Sequence, residues 1–223
     1  MTLSSAVFIG GLLAMVVVGS VAFIQDPNNA QTPYRPRDLT SSASLTNPST
    51  NLELMVSLNA TSIRPVEAVN VTIREFNTLG RSNNVSRSSS WPLGSYGQSF
   101  GIGPCGSLND PMGIAVFRGY FVASNVSSAK SLDLYAIEPY FCPVILPVTS
   151  YYFAPLSSSA DIQGACVPLG CLTTTVSASV NVSGFWESSN VVGGTFHDLP
   201  PGTYTVAAGD EWGSLLLLHF VVG

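Results

Sequence analysis

Strict alternation of apolar and polar side chains runs through several stretches of this chain, and one uninterrupted apolar block precedes them all. Leu52, Leu54, Val56 and Leu58 alternate with Glu53, Met55 and Ser57, the period of two that a half-buried β-strand shows. A second strand is expected over residues 66–76, with Val69, Val71 and Ile73 on one face and Asn70, Thr72 and Arg74 on the other. Residues 112–123 (MGIAVFRGYFVA) are apolar on both faces and read as a central strand. Residues 131–137 (SLDLYAI) predict a shorter one. In residues 176–183 valine and alanine point inward while Ser177, Ser179, Asn181 and Ser183 point out. The last 25 residues predict a hairpin. Tyr204, Val206 and Ala208 line one strand, 210–213 turn, and 214–222 return. After residue 25 no window sustains a helical period of 3.6. Many short strands separated by Gly/Pro/Asn turns predict an all-β antiparallel sandwich.

The apolar block, residues 6–24, changes where that sandwich sits. It is free of charge from residue 1 through 25. Its length of about 19 residues falls within the roughly 17–25 that cross a hydrocarbon core. Gly10, Gly11 and Gly19 are tolerated in such a helix because lipid offers the backbone no other partner. A retained signal-anchor and a signal peptide cut after Ala22 both fit, Ser20 and Ala22 being small as a cleavage site requires. The length favours the anchor, since the apolar region of a signal peptide is usually about 7–15 residues. Arg35 and Arg37 follow the block and no basic residue precedes it, which runs against the positive-inside rule for an external C-terminal part. Lipobox, twin-arginine and basic prepilin signals are absent from the sequence. The expected organisation is a transmembrane segment (1–25), an extended Pro/Asn/Ser/Thr-rich linker (26–50) and an ectodomain (51–223) with long loops at 77–111 and 138–171.

Composition supports an external location. Charged residues are 9% of the chain, and Lys130 is the single lysine. Sequons N-x-[ST] occur at Asn59, Asn70, Asn84, Asn125 and Asn181. A net charge of −5 leaves no basic stripe, which excludes an electrostatic footprint for nucleic acid. With 46% hydrophobic residues the chain can build a core. The four cysteines, Cys105, Cys142, Cys166 and Cys171, suit an oxidising compartment and allow three pairings. Pro168 and Gly170 favour a turn that joins Cys166 to Cys171, which leaves Cys105 for Cys142. A zinc site is the rival reading, but only His197 and His219 could supplement the thiols, and no ligand spacing fits.

The run Leu199-Pro-Pro-Gly-Thr-Tyr204 resembles the tyrosine corner of immunoglobulin-like and fibronectin-like sandwiches. That resemblance implies a Tyr204 hydroxyl bonded back to upstream backbone. The wider pattern, LELMVSLNATSIRP, then AVNVTI, then GTYTVAAGDEWG, looks like uncharacterised archaeal surface proteins with an N-terminal anchor. It implies a cell-envelope location and no known reaction. The Cys–Trp–Cys arrangement of antibody domains is missing.

No catalytic, cofactor or metal signature emerges. A blue-copper site needs Cys, His and Met clustered, and His219 has neither Cys nor Met near it. His197 and Asp198 are neighbours on a strand and point to opposite faces, so Asp198 cannot orient that imidazole. Asp210 and Glu211 read as solvated turn residues, with a carboxylate pair or calcium corner as the sharper alternative. His219 reads as a half-buried histidine at the sheet rim. The last strand is apolar on both faces, which would be a liability at an edge unless covered or used for strand addition. The expected function is a membrane-anchored, glycosylated structural, adhesive or interaction module of the envelope that meets other envelope proteins or itself. Trp91, Tyr96 and Trp212 would be its contact aromatics. The alternatives are a filament or surface-layer subunit, and an accessory subunit packed through Gly10, Gly11 and Ala14 against partner helices.

Overall fold

The computed structural model describes residues 39–94, 110–136, 149–155, 166–167, 170–173, 175–187 and 194–223. The expected membrane segment lies outside these residues. Among the described residues no helix is long and apolar enough to cross a membrane.

The described residues form an all-β fold. In chain order the strands are β1 (Ser42–Asn47), β2 (Leu52–Leu58), β3 (Ser62–Ile63), β4 (Val69–Asn77), β5 (Asn83–Ser86), β6 (Met112–Arg118), β7 (Ser150–Phe153), β8 (Cys166–Val167), β9 (Gly170–Thr173), β10 (Thr175–Val182), β11 (Gly184–Glu187), β12 (Thr195–Asp198), β13 (Gly202–Asp210) and β14 (Leu215–Val222). One sheet has the order β1-β2-β4-β10, antiparallel throughout. A second has the order β3-β14-β13-β6, antiparallel except for the parallel β3–β14 pair. A smaller sheet, β5-β7-β9-β8, and the hairpin β11–β12 are added to these.

The alternation in the sequence becomes the interior. Leu54, Val56 and Leu58 of β2, Val69, Val71 and Ile73 of β4, and Val180 and Val182 of β10 project from the first sheet. Ile114 and Val116 of β6, Tyr204, Val206 and Ala208 of β13, and Leu218, Phe220 and Val222 of β14 meet them from the second. Each such side chain contributes about 1.5–3 kcal/mol on leaving water. The Tyr204 hydroxyl donates to the Pro200 carbonyl at 2.6 Å, as the tyrosine-corner resemblance implies.

Several expectations need correction. The domain begins before residue 51: residues 42–47, assigned to the linker, form β1 and pair with residues 52–57 of β2. The expected loops contain strands, β5 within 77–111 and β7 and β8 within 138–171, where β9 also starts. Residues 131–136 make one bridge, Ser131 to Phe117, rather than a strand. The strand expected from residue 66 starts at Val69, because Pro65 and Val66 form a turn with Val66 at φ 68°. β6 is not central but lies at the edge of its sheet. Its two apolar faces have different covers. Met112, Ile114 and Val116 face the interior, while Ala115 and Phe117 join Ala207, Leu215 and Leu217 beneath Trp91, Leu93, Phe121 and Val126. The same cover accounts for the double apolar face of β14.

Candidate functional site

Two of the three expected contact aromatics, Trp212 and Trp91, pack against the hydrophobic clusters. Trp212, in the β13–β14 turn, donates its indole N–H to the Ser86 carbonyl at 2.8 Å. Its ring meets those of Tyr151 and Phe153 edge-on at centroid distances of 5.6 and 6.4 Å. It therefore pins the turn to the small sheet rather than presenting a contact surface. Trp91 is half-buried against the outer face of the second sheet. Tyr96 lies outside the described residues, as do Cys105 and Cys142. Cys166 and Cys171 stand directly opposite each other in the β8–β9 register.

The sequons are brought together where the sequence only scattered them. Asn70 and Asn181 are register partners on β4 and β10, and the Asn70 amide donates to Asn181 Oδ1 at 2.8 Å. Ser179 Oγ donates to Asn70 Oδ1 at 3.0 Å, and Thr72 and Ser179 hydroxyls meet at 2.9 Å. Asn59 joins this patch by accepting the Asn70 backbone N–H at 2.7 Å. Asn84 and Asn125 are exposed elsewhere, on β5 and before the 3-10 turn Val126–Ser128. Asn125 Oδ1 accepts the Val122 N–H at 2.8 Å.

An open cleft of about 380 Å³ lies beside the β11–β12 hairpin, lined in part by Lys130, Asp133, Phe185, Trp186, Glu187 and His197. Across the hairpin His197 opposes Phe185, with the rings stacked at 5.5 Å. His197 Nε2 lies 3.1 Å from Glu187 Oε2, an ion pair when the imidazole is protonated, although the approach is not aligned as a hydrogen bond. Asp198 points away from His197, as the alternation requires. On the other face Trp186 and Phe196 meet at 5.3 Å, and the Trp186 backbone N–H donates to the Asp133 carbonyl at 2.7 Å. Gly184 is required here, because a Cβ would collide with the His197 carbonyl and the Phe196 ring. The cleft combines aromatic surface with charges of both signs.

A second, internal cluster was not legible as a cluster. Asp210 and Glu211, expected in solvent, are 1% and 0% exposed, and Glu75 on the inward face of β4 is 0% exposed. Asp210 Oδ1 caps the turn by accepting the Trp212 and Ser214 N–H groups at 2.9 and 2.8 Å. Glu211 Oε1 accepts the Ser88 N–H at 2.8 Å, and Arg87 Nε stands 3.6 Å from its other oxygen. Burial pushes Glu211 up to about 7, against the pull of the Ser88 N–H and the Arg87 guanidinium. Burial also holds Glu75 well above the usual carboxylate range, and the Asp210 and Glu211 carboxylates push the same way. The signal for Glu75 was its place in the row Val69, Val71, Ile73, Glu75, where the inward period continues through a carboxylate. Among the described residues no three His, Cys, Asp or Glu side chains are placed to hold a metal ion. His219, the other candidate ligand, is half-buried on β14, donates to the Phe121 carbonyl at 2.8 Å and stacks on Tyr120 at 4.1 Å.

Comparison with protein-family models finds no match. Neither do comparisons with curated proteins and with solved structures.

Proposed function

We propose that this chain is a membrane-anchored, glycosylated, extracytoplasmic module of the cell envelope, built on an immunoglobulin-like sandwich and acting by structure or adhesion rather than by catalysis. The observation that carries the reading is the outer face of the first sheet. There Asn59, Asn70 and Asn181 form one patch among serine and threonine hydroxyls, a polar surface that stays uncharged and offers amides for sugar. The immunoglobulin-like reading is supported by the adjacency of β4 with β10 and of β6, β13 and β14, matching the B–E and C–F–G neighbours of that fold, with the Tyr204 corner at the start of the strand equivalent to F. The β8–β9 register supports a Cys166–Cys171 bridge, and the cleft beside β11–β12 is the surface best shaped for a partner.

Protease treatment of intact cells followed by mass analysis of released peptides tests the reading. Release of peptides from the 39–223 region, some carrying glycan, is expected; protection of the region until lysis would overturn it. Because Asn70 and Asn181 face each other directly, a molecule carries sugar on at most one of the two.

A second reading, a filament or surface-layer subunit, is favoured by one feature. β1 is contributed by a segment N-terminal to the main body and lies at a sheet edge, where a second copy's segment would fit equally by strand exchange. Native mass in mild-detergent extract separates the two, since polymers support the subunit and a monomer or small complex the module.

A further inference from the structure

Three carboxylates meet in the interior at the end of the sandwich where the small sheet joins it. Both Glu75 oxygens and Asp210 Oδ2 are buried without an N–H or O–H donor, although the two side chains approach closely enough to hydrogen-bond each other. Carboxylates accept but cannot donate unless one carries a proton. The Tyr151 hydroxyl, on a residue only 1% exposed, also lies unpartnered in the field of Glu211 and Glu75. The charged groups that act on Glu75 are Asp210 of β13 and Glu211 of the following turn; the Tyr151 hydroxyl of β7 lies in the same field, where Arg87 after β5 and Asp110 before β6 also act on it. Within its own sheet Glu75 is flanked in register by Leu54 and Val176. Among the described residues Arg87 is the cation placed at this cluster, so three negative charges would outnumber one positive charge in a low-dielectric interior.

We propose that Glu75 holds a proton and donates it in a hydrogen bond to the Asp210 carboxylate, and that with Glu211 it forms a proton-binding site that makes folding of this domain acid-linked, fitting it to an acidic exterior.

The sign follows from linkage. Glu75 and Glu211 are both raised in the folded state, so the fold holds protons that the unfolded chain releases. Their stabilisation is complete below the unfolded value of 4.5 and is lost as pH rises, through about 7 for Glu211 and across a range extended upward by Glu75.

The test is thermal unfolding of the full-length protein in mild detergent from pH 4 to pH 8, for the wild type, E75Q and E211Q, with EDTA or millimolar calcium. The wild-type melting temperature should be highest near pH 4 and fall by roughly 5–10 °C by pH 8, at about 2–4 °C per kcal/mol for a chain of this size. E211Q should flatten the slope between pH 5 and pH 7, and E75Q should flatten its upper end. A wild-type melting temperature that is level or rises with pH overturns the proposal, even where E75Q fails to fold. So does calcium restoring the pH 4 value at pH 8, which would make the cluster a cation site.

Discussion

The two ends of the sandwich are built on the same strands and obey opposite rules. Along the inward face of β4 the row runs Val69, Val71, Ile73, then Glu75 and Asn77; along β13 it runs Tyr204, Val206, Ala208, then Asp210. At the first end the sheets meet through aliphatic and aromatic side chains, and Tyr204 stacks on Phe220 at 5.1 Å. At the other end the inward positions carry carboxylates, closed over by the small sheet and by Trp212. The apolar end is stabilised by burial, which is indifferent to pH. The acidic end is stable only to the extent that its charges are suppressed or paired. A pattern of inward positions thus fixes which residues are buried but not whether burial is favourable; that depends on protonation.

The largest effect should come from the apolar end. Phe220→Ala removes a fully buried ring and should cost about 3–5 kcal/mol, equally at pH 4 and pH 8, as read by denaturant unfolding at both. A strong pH dependence of that loss would mean the two ends are coupled. Glu75→Leu sharpens the contrast because its sign should change. At pH 8 it removes the cost of holding a buried carboxyl group beside Asp210 and Glu211 and should stabilise by about 1–3 kcal/mol. At pH 4 it removes the protonated carboxyl group that donates to Asp210 and should destabilise by about 1 kcal/mol. Destabilisation at both pH values would contradict the account of the acidic end.

Smaller effects follow elsewhere. Tyr204→Phe keeps the ring stack and loses the bond to Pro200, a cost of about 1 kcal/mol at either pH. Val66, 73% exposed at φ 68° after Pro65, occupies the turn position that favours glycine. Val66→Gly should therefore gain roughly 0.5–1 kcal/mol at every pH, measured in the same unfolding series. His219 works against the acidic end: burial lowers its pKa despite the bond to Phe121, so its contribution is lost as pH falls below the usual histidine value. One imidazole opposes two glutamates, and the net slope remains that of the carboxylates.

What the sequence made legible divides along the same line. β2, β4, β10 and the β13–β14 hairpin could be read directly because inward burial forces a period of two. β1 could not, since in SASLTN the one large apolar residue, Leu45, is 43% exposed and pairing rather than burial orders the strand. The short strands β5 and β7 lie in Ser/Asn- and aromatic-rich stretches where four residues are too few to show a period. The acidic cluster was missed for a different reason. Acids in a hairpin turn are ordinarily solvated, and nothing local shows that a third sheet will cover this one. Glu75 continues the inward row of Val69, Val71 and Ile73.

The most direct test of the central claim is the infrared spectrum of the full-length protein at pH 7, wild type minus Glu75→Gln. The account predicts a carbonyl band of a neutral carboxylic acid, shifted in heavy water, that is present in the wild type and missing in the variant. A wild-type spectrum in which every carboxyl group is ionised at pH 7 would contradict it.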